Sequence, residues 1–156
     1  MIKITKILCP TDFSNPSLEA LKIANDFALD YKAKLYIVNV VTPIPILSAP
    51  PGFTTPGLST SMDLVAYRKT LEEAAQAQLN ELVKSNIASQ VETIPIVTYG
   101  NAAEQILKIA DSENVDLIVI ATHGRTGWKH LVFGSVAEKI IRMAKQPVLT
   151  IRKPND

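Results

Sequence analysis

The chain has little cysteine and no surplus of charge. Cys9 is the only cysteine in 156 residues, which excludes an internal disulfide and a cysteine-rich metal site. Its neighbours Ile7 and Leu8 predict a buried, inert thiol and not a nucleophile. Sixteen basic residues against fifteen acidic ones leave a net charge of +1, so no nucleic-acid-binding stripe is expected and nucleic acid is not an expected partner. No stretch reaches the roughly 18 apolar residues of a membrane span. The opening Met1-Ile-Lys-Ile-Thr-Lys-Ile-Leu8 is too short in its apolar part, and too regularly broken by lysine, for a signal peptide. A soluble, cytoplasmic protein without membrane contact is the expectation. The sharper catalytic and phosphate motifs are missing too. There is no Gly-x4-Gly-Lys-Ser/Thr, no Gly-x-Gly-x-x-Gly after the first strand and no Gly-x-Ser-x-Gly, so no efficient catalytic machine is visible.

What is present is core. At 47% hydrophobic residues the chain can fill one domain, and no second domain is needed. Ile2 to Cys9 reads as a strand that stops at Pro10. Ser14 or Asn15 then caps a helix with Pro16 in its first turn, and Leu18, Leu21, Ala24, Phe27 and Ala28 recur at helical spacing to about Tyr31. Lys34 to Val41 is a second, central strand. Thr42 to Ser61 carries five of the ten prolines and no period; it reads as a flexible insertion, a surface loop or lid. From about Met62 to Ser85 the pattern Leu64, Leu71, Ala75, Leu79, Leu82 predicts a helix with one wet face. Val91 to Thr98 is a third strand, placed at an edge or made irregular by Pro95. Asn101 to Ala110 is a helix with Glu104 in its first turn, and 115 to 121 is a buried central strand. A helix over Ser135 to Ala144 and a strand over Gln146 to Arg152 close the chain. This alternation predicts a single-domain, doubly wound α/β fold: a parallel sheet with helices on both faces.

In such a sheet ligands collect at the carboxyl ends of strands. That rule selects Pro10-Thr11-Asp12, then Asn39-Val40-Val41, then the loop beginning at Ala121. The third place has the most chemistry. In "ATHGRTGWKHLVFGS", residues 121 to 135, Gly124 and Gly127 allow close approach of backbone to an anion. Gly134-Ser135 opens a helix whose free N–H groups attract negative charge. Arg125 and Lys129 either add positive charge or are simply solvated. Asp12 either caps the helix that follows or accepts from a sugar hydroxyl or base amine. His123 and His130 have no acidic cluster with them, so no metal site is expected. Trp128 is expected to cover the loop or to meet a partner.

These residues carry a resemblance. The chain resembles the universal stress proteins, many of which bind ATP through Gly-x2-Gly-x9-Gly-Ser/Thr. Here that stretch reads Ala121-Thr122-His123-Gly124, nine residues, then Gly134-Ser135, and the likeness extends through "KILCPTDFS" and "GRTGWKHLVFGSVAEKIIRMAKQPVLTIR". The resemblance implies a five-stranded parallel sheet in the order 3-2-1-4-5 and one universal stress protein domain over 1–156. It implies that Pro10, Thr11, Asp12 and Val40 border adenine and ribose. Gly124, Arg125, Gly134, Ser135 and Val136 surround the phosphates, with Ala121, Thr122, His123 and Gly127 completing the loop. ATP is the implied ligand, with Mg2+ or Mn2+ held mainly by its phosphates, and a homodimer through Pro147 to Arg152 is the implied assembly. Ala121 departs from the motif's first glycine, and an alanine is tolerated there if the position merely ends the fourth strand. Hydrolysis is expected to be slow at most, since no base that activates water can be named. The alternative is a dimeric adaptor of the same fold that binds no nucleotide and acts through protein partners. An enzyme using Asp12 and His123 ranks behind both.

Overall fold

The computed structural model describes residues 3–43, 61–122 and 134–152, the side chains of 61–63 excepted. Strands β1 (Lys6–Pro10), β2 (Lys34–Val41), β3 (Thr93–Tyr99), β4 (Leu117–Ala121) and β5 (Val148–Ile151) alternate along the chain with helices α1 (Asn15–Tyr31), α2 (Ser61–Asn86), α3 (Ala102–Ser112) and α4 (Ser135–Met143). All four pairings are parallel, in the order β3-β2-β1-β4-β5. This is the expected doubly wound α/β architecture. The expected insertion lies, from 44 to 60, outside the described residues.

Side chains alternate across the sheet with period 2, and this divides the core in two. Ile7, Cys9, Leu35, Ile37 and Val119 meet Leu21 and Ala24 of α1 and Leu79 of α2 on one face. Leu8, Tyr36, Val38, Ile118 and Ile120 meet Ile106 and Ala110 of α3 and Ile140 of α4 on the other. Cys9 is fully buried, and burial pushes its thiol up to about 12, so it is inert as expected.

The helix starts follow the sequence. Ser14 caps α1, its side chain accepting from the Ser17 N–H, and Asn101 caps α3, accepting from the Glu104 N–H. Four strands begin later than expected, β1 at Lys6 and not Ile2, β3 at Thr93 and not Val91, β4 at Leu117 and not Val115, and β5 at Val148 and not Gln146. The amino end of the sheet is fixed by Asp116, whose Oδ2 accepts from the Thr5 N–H (2.7 Å), the Thr5 hydroxyl (2.8 Å) and the Lys6 N–H (2.9 Å). The apolar stripe of α2 is only half used. Leu79 and Leu82 are buried, whereas Leu64, expected on the same face, is 42% exposed, because the first turns of the helix have little of the sheet beneath them.

Prolines mark where ladders end. The Leu35 N–H donates to Glu92 O and the Gly100 N–H to Val41 O, so the even-numbered residues of β3 turn their polar groups to β2. Pro95 therefore presents its missing N–H to the open side of an edge strand. Pro10 acts differently. In β1 the polar groups of Leu8 face β4, and the next to do so are those of residue 10, but proline has no N–H to give the Val119 carbonyl. The β1–β4 pairing accordingly stops at Leu8↔Ile118, while β4 runs on to Ala121. At the point where strand order reverses, the two central strands part company.

Candidate functional site

A cavity of about 220 Å3 occupies this parting. Pro10, Thr11 and Asp12 from the end of β1, Val38 and Val40 from β2, and Ile120, Ala121 and Thr122 from β4 line it, together with the first turns of three helices: Ser17 of α1, Ala102 and Ile106 of α3, and Gly134, Ser135, Val136 and Ala137 of α4. It lies where the rule for open α/β sheets places ligands.

The exit of β1 is held by both polar groups of Thr11. Its N–H donates to Val38 O (2.8 Å), and its carbonyl accepts from the side-chain amide of Asn39 (2.8 Å), a residue only 7% exposed. A continued parallel ladder would give that carbonyl to the N–H of Val40. The Asn39 side chain takes it instead, and the backbone of Val40 faces the cavity side of β2 one step beyond the last pair, Pro10↔Val38. A backbone donor and acceptor thus sit side by side next to the apolar walls made by Val38, Ile106 and Ile120.

The Thr11–Ser17 segment is internally bonded. The Ser17 hydroxyl donates to Ser14 O (2.8 Å), which makes Thr11 the donor in the 3.0 Å contact between the Thr11 and Ser17 hydroxyls; the Phe13 N–H donates back to the Thr11 oxygen (3.1 Å). Asp12 accepts on Oδ1 from the N–H and the hydroxyl of Ser14. Of the two roles left open for Asp12, the structure displays a version of the first: it orients the cap, and Ser14 is the capping residue.

On the opposite wall the Gly134 N–H donates to Thr122 O (2.6 Å), and the Thr122 N–H donates to Ile151 O (2.9 Å). Thr122 is buried and joins the start of α4 to the end of β5. Gly134 stands at the N-cap of α4 and makes no side-chain cap bond, unlike Ser14 of α1 and Asn101 of α3. Ala121 ends β4 without a positive φ and packs its methyl group into the core on the α1 and α2 face. It is thus at the strand end, as expected, and also in the lining of the cavity.

Every described member of the expected site, namely Pro10, Thr11, Asp12, Val40, Ala121, Thr122, Gly134, Ser135 and Val136, lines this one cavity. His123, Gly124, Arg125 and Gly127, with Trp128, Lys129 and His130, lie outside the described residues. The sequence reasoning missed Ser17, Val38, Ala102, Ile106, Ile120 and Ala137. Ser17 had a signal: a serine one turn before Leu21 on the buried stripe of α1. Ala102 and Ile106 follow the end of β3, the strand end that the search for ligand positions passed over. Among the described residues no helix is long and apolar enough to cross a membrane, and no group of three or more metal-ligating side chains occurs.

A sequence profile of the universal stress protein family matches residues 3–152. Universal stress protein MJ0531 of Methanocaldococcus jannaschii is 34% identical over 149 residues, covering 96% of this chain and 82% of the relative. The solved structure of MJ0577 from the same organism superposes with a TM-score of 0.84 at 28% identity, covering 99% of this chain and all of that one. A universal stress protein solved in complex with cAMP shares the fold, with a TM-score of 0.62 at 23% identity over 96% of this chain and 98% of its own. With the sheet order, the parted central strands and a profile match over nearly its whole length, the chain belongs to the universal stress protein family.

Proposed function

We propose that the protein binds ATP, an adenine nucleotide, across the carboxyl ends of β1, β2 and β4, and acts as a nucleotide-dependent stress-response or signalling protein. The observation that carries this reading is the chemistry of the cavity wall, which offers the three kinds of surface a nucleotide needs. Val38, Ile106 and Ile120 present apolar surface to a base, and the backbone of Val40 offers a donor and an acceptor to its edge. Thr11 and Asp12 stand where a sugar hydroxyl would reach a carboxylate, a poor place for phosphate because like charges repel. The N-terminus of α4, with Gly134 as a cap that makes no side-chain bond and the Ser135 hydroxyl beside it, suits the phosphates. Gly124, Arg125, Gly127 and His123 would complete that end. Mg2+ or Mn2+ would be held mainly by phosphate oxygens, which fits a cavity whose described carboxylate is Asp12. The cAMP complex of a relative with the same fold supports an adenine nucleotide as the ligand class.

Any turnover is proposed to be slow, because Asp12, the carboxylate on the described walls, is engaged by the N–H and hydroxyl of Ser14. The proposed assembly is a homodimer through β5, an edge strand of half-buried residues beside the exposed Met143 of α4. The proposed setting is the cytoplasm, and the family domain is taken to span the chain with 42–61 as its insertion. The test is titration calorimetry with ATP and magnesium on wild type and Gly134→Val. A branched side chain at the phosphate approach removes binding and leaves the fold. Unchanged affinity in a folded variant overturns the cradle, and a wild type that ignores ATP favours the adaptor.

A further inference from the structure

The two helices that wall the cavity on one side are joined at both ends, and the two joints differ. At the end remote from the cavity, Lys145 pairs with Asp111 (2.7 Å), and the Gln146 amide donates to Asp111 (3.0 Å) and to Ala110 O (3.3 Å). At the cavity end the tie is a single exposed ion pair, Glu104 to Lys139 (3.0 Å), with side chains 63% and 38% exposed. Glu104 lies in the first turn of α3, two residues after Ala102. Lys139 lies one turn after Ser135, and both Ala102 and Ser135 line the cavity. Helical side chains lean towards the N-terminus of their helix, so Lys139 covers the turn that begins with Ser135. Neither Lys139 nor Glu104 lines the cavity itself, but both stand within one helical turn of residues that do.

We infer that Lys139 is a phosphate-sensing residue which Glu104 holds in the free protein and a phosphorylated ligand draws away. This rests on the nucleotide reading above and adds the side-chain switch that reads the ligand's charge. Two anions compete for one ammonium group: a single, largely solvated carboxylate on one side, and a polyphosphate of higher charge placed at a helix N-terminus on the other. The second wins, and the clasp between α3 and α4 opens while the three bonds at the far end keep the helices together. A ligand without phosphate leaves the pair closed. Lys139 therefore selects for phosphorylated over unphosphorylated adenine ligands, and Glu104 opposes it.

The test measures affinities of the full chain for ATP and for adenosine by calorimetry, in wild type, Lys139→Met and Glu104→Gln. Both positions are exposed, and thermal melting verifies the fold. The expected result has opposite signs: Lys139→Met weakens ATP about fivefold, and Glu104→Gln tightens it by about twofold to fivefold, the range open to a partly solvated charge pair. Adenosine is unchanged in both, and added salt narrows the ATP differences. A purely structural strap predicts something else, namely the same direction in both variants and equal effects on ATP and adenosine; that result, or no change in either variant, overturns the switch while wild-type binding leaves the nucleotide reading intact. Wild type that binds neither ligand overturns the nucleotide reading and this inference together.

Discussion

Removing one amide tests how the cavity is held open. In Asn39→Ala the Thr11 carbonyl loses its 2.8 Å donor in a place where both residues are buried, Thr11 at 5% and Asn39 at 7% exposure. A buried carbonyl left without a partner costs about 1–3 kcal/mol. The lost amide adds a small void, partly offset because alanine needs no hydrogen bond. A net loss of about 2 kcal/mol is expected, a large share of the roughly 5–15 kcal/mol that keeps such a domain folded. For a chain of this size that is a fall in Tm of about 4–8 °C. Urea unfolding should show a lower midpoint at an unchanged m-value, since the surface exposed on unfolding is the same. The segment that carries Thr11 and Asp12 into the cavity wall also loses its tie to β2 through Asn39. Nucleotide affinity should therefore fall with stability. A stability change below about 0.5 kcal/mol, the usual range for surface substitutions, would refute the argument, as would full nucleotide affinity in a destabilised variant.

The remaining expectations concern the two ends of α2 and the amino end of the sheet. Leu79→Ala should cost about 2–5 kcal/mol because the side chain is fully buried, whereas Leu64→Ala should change stability by no more than about 0.5 kcal/mol; equal costs in chemical denaturation would mean that the whole stripe is packed. Burial pushes the Asp116 carboxyl up, but the three donors from Thr5 and Lys6 outweigh it and hold the group below its ordinary 3.8. Its stabilisation is thus present above that value and is lost as pH falls through the lower, folded value, a window in which the unfolded chain binds the extra proton. Asp116→Asn should flatten the acid limb of stability below about pH 4, and an unaltered limb in pH-dependent unfolding would contradict this assignment.

The sheet was legible because its signals are local. β2 occupies the residues read from its β-branched run, Ser14 and Asn101 cap the helices they were expected to cap or adjoin, and Pro95 is on an edge. Strand beginnings were less legible, since a β-rich run extends no further than its partners. Ile4 has the composition of β1 but lies before the first pairs, Lys6↔Lys34 and Ile7↔Leu117. The outer turns of α2 failed for the same reason, because periodicity reports which face is apolar and not how far the neighbouring element reaches. At the cavity, glycine, hydroxyl and carboxylate positions stood out as residue types, while the walls made by Val38, Ile106 and Ile120 did not. Those are ordinary core residues, and only the parting of β1 and β4 turns them into lining. Pro10 was read as a stop, and the consequence of that stop for the pairing with β4 required the strand order.

The hydrogen bond from Gly134 to Thr122 separates the frame from the stretch of chain between them. Whatever the chain does between these two residues, its departure and its return are stapled to the same spot, and Thr122 is anchored again to Ile151. Length and sequence between them can therefore change without asking the sheet to move, since lengthening a loop whose ends are already fixed adds only slowly to its closure cost. The family scaffold acquires an exchangeable part beside the cavity. Grafting that stretch from one relative into another should transfer ligand preference while the melting behaviour stays with the host.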